Sequence, residues 1–347
     1  MNDAGSVVRS YIPIYHSHNF QSIKRNHELG ITIDHDCDAP GRFLLIDWSG
    51  ECFTCPCDSW LPISVGNIDS FNDLHQAWQN PISQVLQQDI SSRKFSWCAV
   101  NICGVVHNDI RYPRYQVSIN IDESCNLRCP SCRSEKIMLT QGPMFDTKMR
   151  RAQHIRDLLE RFSEPVHVIM SGNGDVLASN VMRPLIHELD PRPTQTFRIF
   201  TNGLLLEKQL HRSRLIPQIT EFQISVDAGS QSVYEEVRLG GSYRVLLRNL
   251  AYLKELANTT NAHVQLLFVL QAKNWRDMGN FIDLCDQHGF AGSITTLLDW
   301  GTWSDFTAHD VIGNANHPEH ALALQYLRSL RSRPPVRVTF DANLSSI

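Results

Sequence analysis

No stretch of the chain approaches the roughly 18 uninterrupted apolar residues of a membrane span, and Met1 to Ser10 lack the basic-then-apolar order of a secretion signal. A cytoplasmic location with no membrane partner is therefore expected. Charge of one sign is also missing: 32 Lys and Arg stand against 36 Asp and Glu, a net of -4. That leaves no broad basic surface for nucleic acid and no polybasic anchor for anionic lipid. The composition is not that of a disordered chain, with 42% hydrophobic and 20% charged residues. At 347 residues there is chain enough for one large α/β domain with an appendage.

Cysteine is scarce after residue 132, where only Cys285 remains, and concentrated before it. Apart from Cys37, the others fall in two groups: Cys52, Cys55, Cys57, Cys98 and Cys103, then Cys125, Cys129 and Cys132. In a reducing compartment disulfides are rare, so clustered thiols point to metal binding or chemistry. The second group, Cys125-Asn-Leu-Arg-Cys129-Pro-Ser-Cys132, has no fourth cysteine nearby. A closed zinc site or a ferredoxin cluster takes four ligands. Three thiolates on a tight loop leave one iron of a four-iron four-sulfur cluster open to an outside ligand; a zinc site completed by a distant His or Cys is the alternative.

The alternating, β-rich run 115–121 precedes this loop and reads as a strand that delivers it at its C-terminal end, where α/β barrels put their chemistry. Here the chain resembles the radical S-adenosylmethionine superfamily, whose signature is this Cys-x3-Cys-x2-Cys after the first barrel strand. Ser131 departs from the aromatic residue that many members carry before the last cysteine. Downstream, strand candidates at 165–170, 196–201, 219–226, 263–270 and 293–298 alternate with helical segments. One helix carries Ile155, Leu158, Leu159 and Phe162 on one face, another Leu246, Leu250, Leu253 and Ala257. Together with the first strand these make six, matching the partial (β/α)6 TIM-like barrel that the resemblance implies.

The strand endings are polar. Ser171-Gly172-Asn173-Gly174-Asp175 has glycines that permit close backbone approach to a ligand. It looks like the superfamily's Gly-Gly-Glu-type loop, with Asp175 in the acidic place that contacts the amino group of the methionyl moiety. Thr201-Asn202-Gly203 and Ser225-Val226-Asp227 end the next strands. Strand alternation puts Ser225 and Asp227 on one face. By resemblance they face the ribose and carboxylate of S-adenosylmethionine, and Arg238 pairs with its carboxylate, a task suited to a planar guanidinium. The alternative for Arg238 is a surface charge at a helix end. Gln271 and Asn274 either contact the ligand or cap the following helix. Cys285 lies on an apolar helical face beside Phe281 and Ile282; it is a candidate thiol hydrogen-atom donor, against the reading of a core cysteine.

In the first cysteine group, 42–47 and 51–55 read as a hairpin across the turn 48–50, followed by Gly66-Asn67-Ile68 and a helix pair within 71–88. This resembles the auxiliary-cluster modules called SPASM or twitch domains, which normally follow the barrel and here precede it. The resemblance implies one auxiliary iron-sulfur cluster held by Cys55, Cys57, Cys98 and Cys103, with Cys52 as the rival ligand and a zinc knuckle as the alternative. The expected division is 1–112 for the module, 113–305 for the barrel and 306–347 for a C-terminal helix and strand.

The resemblance implies an enzyme, of oxidoreductase or isomerase type. It holds S-adenosylmethionine on the open iron, takes an electron from a flavodoxin- or ferredoxin-type reductant, and cleaves the ligand to a 5′-deoxyadenosyl radical that abstracts a substrate hydrogen. A peptide or protein side chain is the favoured substrate, a sugar or aminoglycoside-type small molecule the alternative. Trp300 and Trp303 are candidate pocket residues, and His317-Pro318-Glu319-His320 precedes the last helix. Two other classes compete: a non-catalytic iron-sulfur or zinc protein, and a degenerate barrel that binds without cleaving.

Overall fold

The structure, a computed structural model, describes residues 33–55, 63–98, 103, 105, 109–331, 338–340 and 344. The readings of Met1 to Ser10 and of Cys57 lie outside the described residues. The chain divides into two compact units, Met1–Asp122 with Gln141–Asn173 and Leu189–Thr196, and Glu123–Thr140 with Gly174–Glu188 and Phe197–Ile347.

In the first unit a short helix α1 (Ala39–Arg42) leads into β1 (Phe43–Ile46), which turns back as β2 (Cys52–Phe53). The pair is antiparallel, with Leu45 opposite Phe53 and Ile46 opposite Cys52, so the expected hairpin is present. Asp47 organises its turn: Oδ1 accepts from the backbone of Ser49 and Glu51 and from the Ser49 hydroxyl. Gly50 takes φ 89, the left-handed region that favours glycine, and a Cβ there would stand 2.5 Å from the Arg151 guanidinium. Arg151 donates to Trp48 O at 3.2 Å and to both carboxylate oxygens of Asp69. Two short helices, α2 (His75–Trp78) and α3 (Pro81–Ser91), form the expected pair; Asn80 caps the second by accepting from Ile82 N.

The hairpin is also part of the sheet. β1 runs parallel to β3 (Tyr115–Ile119), Phe43 beside Gln116 through Ile46 beside Ile119. All four β1 residues are buried, which explains an uninterrupted apolar run: a strand covered on both faces has no polar alternation. After the cysteine loop come α4 (Pro143–Arg161) and β4 (Val166–Met170), the latter parallel to β3. Ile155, Leu158 and Leu159 face inward as their spacing predicts; Phe162 sits just past the helix as its C-cap.

The second unit continues with β5 (Gln195–Thr201), α5 (Leu206–Leu210), β6 (Ile219–Ser225), α6 (Gln231–Val237), α7 (Tyr243–Thr260), β7 (His263–Leu270), α8 (Met278–His288), β8 (Ala291–Thr296), α9 (His320–Arg331) and β9 (Val338–Phe340). β5 to β9 pair in sequence order and all in parallel. Leu246, Leu250 and Leu253 are buried on α7, as expected. β8 starts and ends two residues earlier than its pattern suggested, leaving Leu298 62% exposed. The succession β3 to β8 with intervening helices is that of an α/β protein with a partial (β/α)6 TIM-like barrel. Among the described residues no helix is long and apolar enough to cross a membrane.

Candidate S-adenosylmethionine and cluster site

The cysteine loop follows β3. Cys125 and Cys129 are buried and Cys132 is exposed. Each sulfur faces an N–H donor. Cys125 Sγ accepts from Leu127 N at 3.4 Å and Asn202 Nδ2 at 3.8 Å. Arg238 Nη1 lies 3.7 Å from Cys129 Sγ, and Arg133 Nη2 3.7 Å from Cys132 Sγ. Burial pushes the Cys125 thiol up to about 11. It also raises Cys129, against the pull of Arg238. Metal binding would displace these protons. Among the described residues no three His, Cys, Asp or Glu side chains already form a metal cage.

Gly174 makes the next loop possible. A Cβ on it would stand 2.2 Å from Ser124 O and 2.5 Å from Glu123 C, closer than atoms can approach. The neighbouring Asp175 N donates to Ser124 O at 2.8 Å, so this loop and the cysteine loop are in backbone contact. Gly172 lies two residues earlier, just after β4. The Asp175 carboxylate is buried and its oxygens are engaged inside the protein: Oδ1 accepts from Leu177 N and Ala178 N, Oδ2 from Thr201 Oγ1 and Asn202 N. Burial raises its pKa, opposed by these bonds. In this arrangement the side chain ties two strand endings together. Asn202 continues the tie, donating to Asn126 Oδ1 at 2.8 Å.

The ending of β6 departs from the sequence reading. The strand stops at Ser225, which is half-buried, and Asp227 takes φ 60. Period-two alternation therefore does not run through Asp227, and the shared-face argument for Ser225 and Asp227 fails. The left-handed turn instead points Asp227 at Arg238, with Oδ2 2.8 Å from Nη2 and side-chain exposures of 3% and 12%. Asp227 Oδ1 also accepts from Val269 N at 2.8 Å. Arg238 is thus no surface helix-end charge but a buried ion-pair member. Burial opposes its charge, while Asp227 and Cys129 hold its pKa above the ordinary value.

Two buried polar atoms at this pair have no hydrogen-bond partner, Arg238 Nε and Tyr234 OH, and Gln271 Nε2, in the loop after β7, is a third such atom. Buried donors are seldom left unpaired, so Arg238 Nε and Tyr234 OH mark a place for a polar ligand. Gln271 is the amide with a spare donor; Asn274 is not, because its side chain braces the loop from Gln271 N to Asp227 O and Val269 O. Tyr234 and Arg133 escaped the sequence reading. A signal existed for each: Tyr234 stands four residues before Arg238, one helical turn away, and Arg133 directly follows the last loop cysteine.

Cys285 is fully buried and its thiol is pushed up to about 12 by burial. A Cβ on Gly292 would stand 2.9 Å from its sulfur. Gly292 lies at the start of β8, the opposite end of the strand from the catalytic loops of a barrel, so the core reading fits and the hydrogen-donor one has no geometry behind it. Trp303 stacks on His309 at 4.1 Å, whereas Trp300 is half exposed. Between them Thr302 donates to Pro130 O at 2.8 Å, pinning this loop to the cysteine loop. Glu319 of the 317–320 motif accepts from Trp275 Nε1 at 3.0 Å and pairs with Arg276.

In the N-terminal group, Cys52 is fully buried with its sulfur turned to Gly50 O, and Cys55 is half-buried. Cys98 and Cys103 pack with Cys37 against Ile33, Ile90, Phe95 and Val105.

Residues 119–285 match the family model "Radical SAM superfamily". The mycofactocin maturase MftC of Mycobacterium ulcerans is 27% identical over 185 residues, 52% of this chain and 47% of that protein. The MftC of Mycobacterium tuberculosis is 26% identical over 188 residues, 53% of this chain and 45% of its own. The matched region thus spans about half the length of these relatives. Among solved structures, SuiB of Streptococcus suis is similar with a TM-score of 0.41 and 14% identity, over 78% of this chain and 56% of that one. With the cysteine loop after the first barrel strand and the family match over the same stretch, residues 119–285 form a radical SAM superfamily segment.

Proposed function

We propose that the protein reductively cleaves S-adenosylmethionine and uses the radical to abstract hydrogen from an organic substrate, a peptide or protein side chain. The family implies a four-iron four-sulfur cluster and S-adenosylmethionine, and the residues fit both. Cys125, Cys129 and Cys132 would hold the cluster through three soft thiolates, one fewer than its four irons. When bound, the cluster supplies the electron that breaks a carbon-sulfur bond of S-adenosylmethionine, giving methionine and the 5′-deoxyadenosyl radical. Arg238, Arg133 and Asn202 direct N–H groups at the sulfurs, which offsets negative charge and tunes the potential.

The observation that carries this reading is the pair of unpartnered buried atoms next to Cys129, Arg238 Nε and Tyr234 OH. A zwitterionic ligand with carboxylate, amine and hydroxyl groups satisfies such a set. Asp227 orients Arg238 toward it, and Asp175 and Asn202 lock the loops; Ser225, Gly172 and Gly174 are further candidates for contact with the ligand. Thr201 acts through Asp175. A flavodoxin- or ferredoxin-type protein is the reductant in this reading, residues 1–112 hold an auxiliary cluster, 113–305 the barrel and 306–347 the closing segment. The substrate class follows the frequency of peptide substrates among auxiliary-cluster members and the maturase naming of the matched relatives.

The test is anaerobic reconstitution with dithionite and S-adenosylmethionine, with 5′-deoxyadenosine followed by chromatography. Formation by the wild type, and none after changing Cys125, Cys129 and Cys132 to Ala, is expected. Retained cleavage in the triple variant defeats the assignment. Stimulation by peptides rather than aminoglycosides supports the substrate class, and the reverse replaces it.

A further inference from the structure

The cysteine that the motif spacing leaves unassigned, Cys37, stands beside two that it assigns. Its backbone is bridged in parallel to Ile110, with Ile110 N donating to Asp36 O at 2.7 Å and Asp38 N to Ile110 O at 3.1 Å. That bridge fixes Cys37 next to the chain just beyond Cys103. Cys37, Cys98 and Cys103 pack on one small apolar cluster of Ile33, Ile90, Phe95 and Val105. Cys98 is presented by a constrained turn: Arg93 and Phe95 have φ of 60 and 49, and Asp89 accepts from Ser96 N at 2.7 Å and Ser96 Oγ at 2.8 Å. Left-handed backbone at non-glycine residues costs energy and concentrates at functional sites.

Cys52 has the opposite surroundings. It is wholly buried in the hairpin, directed at Gly50 O, and burial raises its pKa well above the ordinary thiol value, with Glu51, Asp47 and Asp69 adding to the rise and Arg151 opposing it.

We infer that Cys37 is a ligand of the N-terminal metal centre together with Cys98 and Cys103, and that Cys52 is a structural residue of the hairpin. The site takes an iron-sulfur cluster, a thiophilic group matched to thiolates on an apolar floor. Burial, reinforced by the charge of Cys103, holds the Cys37 thiol at about 11 in the metal-free chain; ligation replaces that proton. The inference rests on the auxiliary-cluster reading and changes its ligand set.

The experiment uses the full chain, metal-free and after anaerobic reconstitution with ferrous iron and sulfide. Each cysteine is quantified by alkylation and mass spectrometry. Cys37, Cys98 and Cys103 are expected to become protected together on reconstitution, while Cys52 reacts to the same extent in both states. In parallel, Cys37→Ser is expected to lose about four of about eight irons per chain, and Cys52→Ser none. Protection of Cys98 and Cys103 with Cys37 unchanged overturns the assignment of Cys37 and leaves the auxiliary cluster standing. No protection of any of the three overturns both. The alkylation comparison is made on the wild type, so misfolding of a variant does not blur the answer.

Discussion

Replacing Arg238 by Met tests the centre of the proposed site. The guanidinium stands 2.8 Å from Asp227 Oδ2, and the two side chains are 12% and 3% exposed. At that distance the pair attraction is about 6 kcal/mol at an effective dielectric of about 20, and desolvation of both ions offsets much of it. Removing only the cation leaves the Asp227 carboxylate buried with Val269 N as its remaining donor. Breaking a buried pair in this way costs about 3–5 kcal/mol. Arg238→Met is therefore expected to lower the urea midpoint of the metal-free protein. Asp227→Asn with Arg238→Met should recover most of that loss, since no buried charge is then stranded. S-adenosylmethionine binding should fail in both variants. Arg238→Met with an unchanged midpoint, or a double variant less stable than the single one, refutes the buried-pair reasoning.

Gly174→Ala forces a Cβ to within 2.2 Å of Ser124 O; overpacking of this kind costs about 1–3 kcal/mol, and thermal unfolding should fall by several degrees, with wild-type melting counting against the close approach. Tyr234→Phe removes a buried hydroxyl that has no partner. The metal-free protein should be as stable or more so, by up to about 1–3 kcal/mol, while calorimetry should show weaker S-adenosylmethionine binding; unchanged affinity would place the hydroxyl outside the ligand site. His75 lies 2.7 Å from Asp73 and 2.5 Å from Glu164. Burial pulls its pKa down, but these bonds and charges outweigh burial and the net direction is upward. A raised folded-state pKa adds stability that is fully present below about 6.5 and lost as pH rises through the folded value. Unfolding midpoints should therefore fall between about pH 6 and 8 in the wild type and less so in His75→Gln, and parallel curves would refute the coupling.

The strands were legible because each is a short apolar run between polar or glycine-containing loops: 263–270, whose burial alternates once folded, forms His263–Leu270. The cysteine loop was legible because thiol spacing is local. Asp227 was not, since its role depends on a single residue leaving the strand for φ 60, and nothing in Ser-Val-Asp marks that change of conformation. Arg238 was recognised as charged and its partner was not, because an ion pair spanning eleven residues is set by how α6 packs, which no short window contains. Asp175 shows a further limit: an acidic residue in a ligand loop and one that staples two strand endings have the same sequence. Cys37 was passed over because its distance from the other cysteines is long along the chain and short only through the bridge to Ile110.

The parallel pairing of β1 with β3 bears on how the protein can be cut. A boundary drawn at residue 112 looks natural by motif, yet it would strip β3 of a neighbour and lay bare a row of unpaired amides and carbonyls along Tyr115–Ile119. Exposed strand edges recruit other chains. A barrel fragment expressed without its first 112 residues is then expected to aggregate through that edge, which in the whole chain β1 covers.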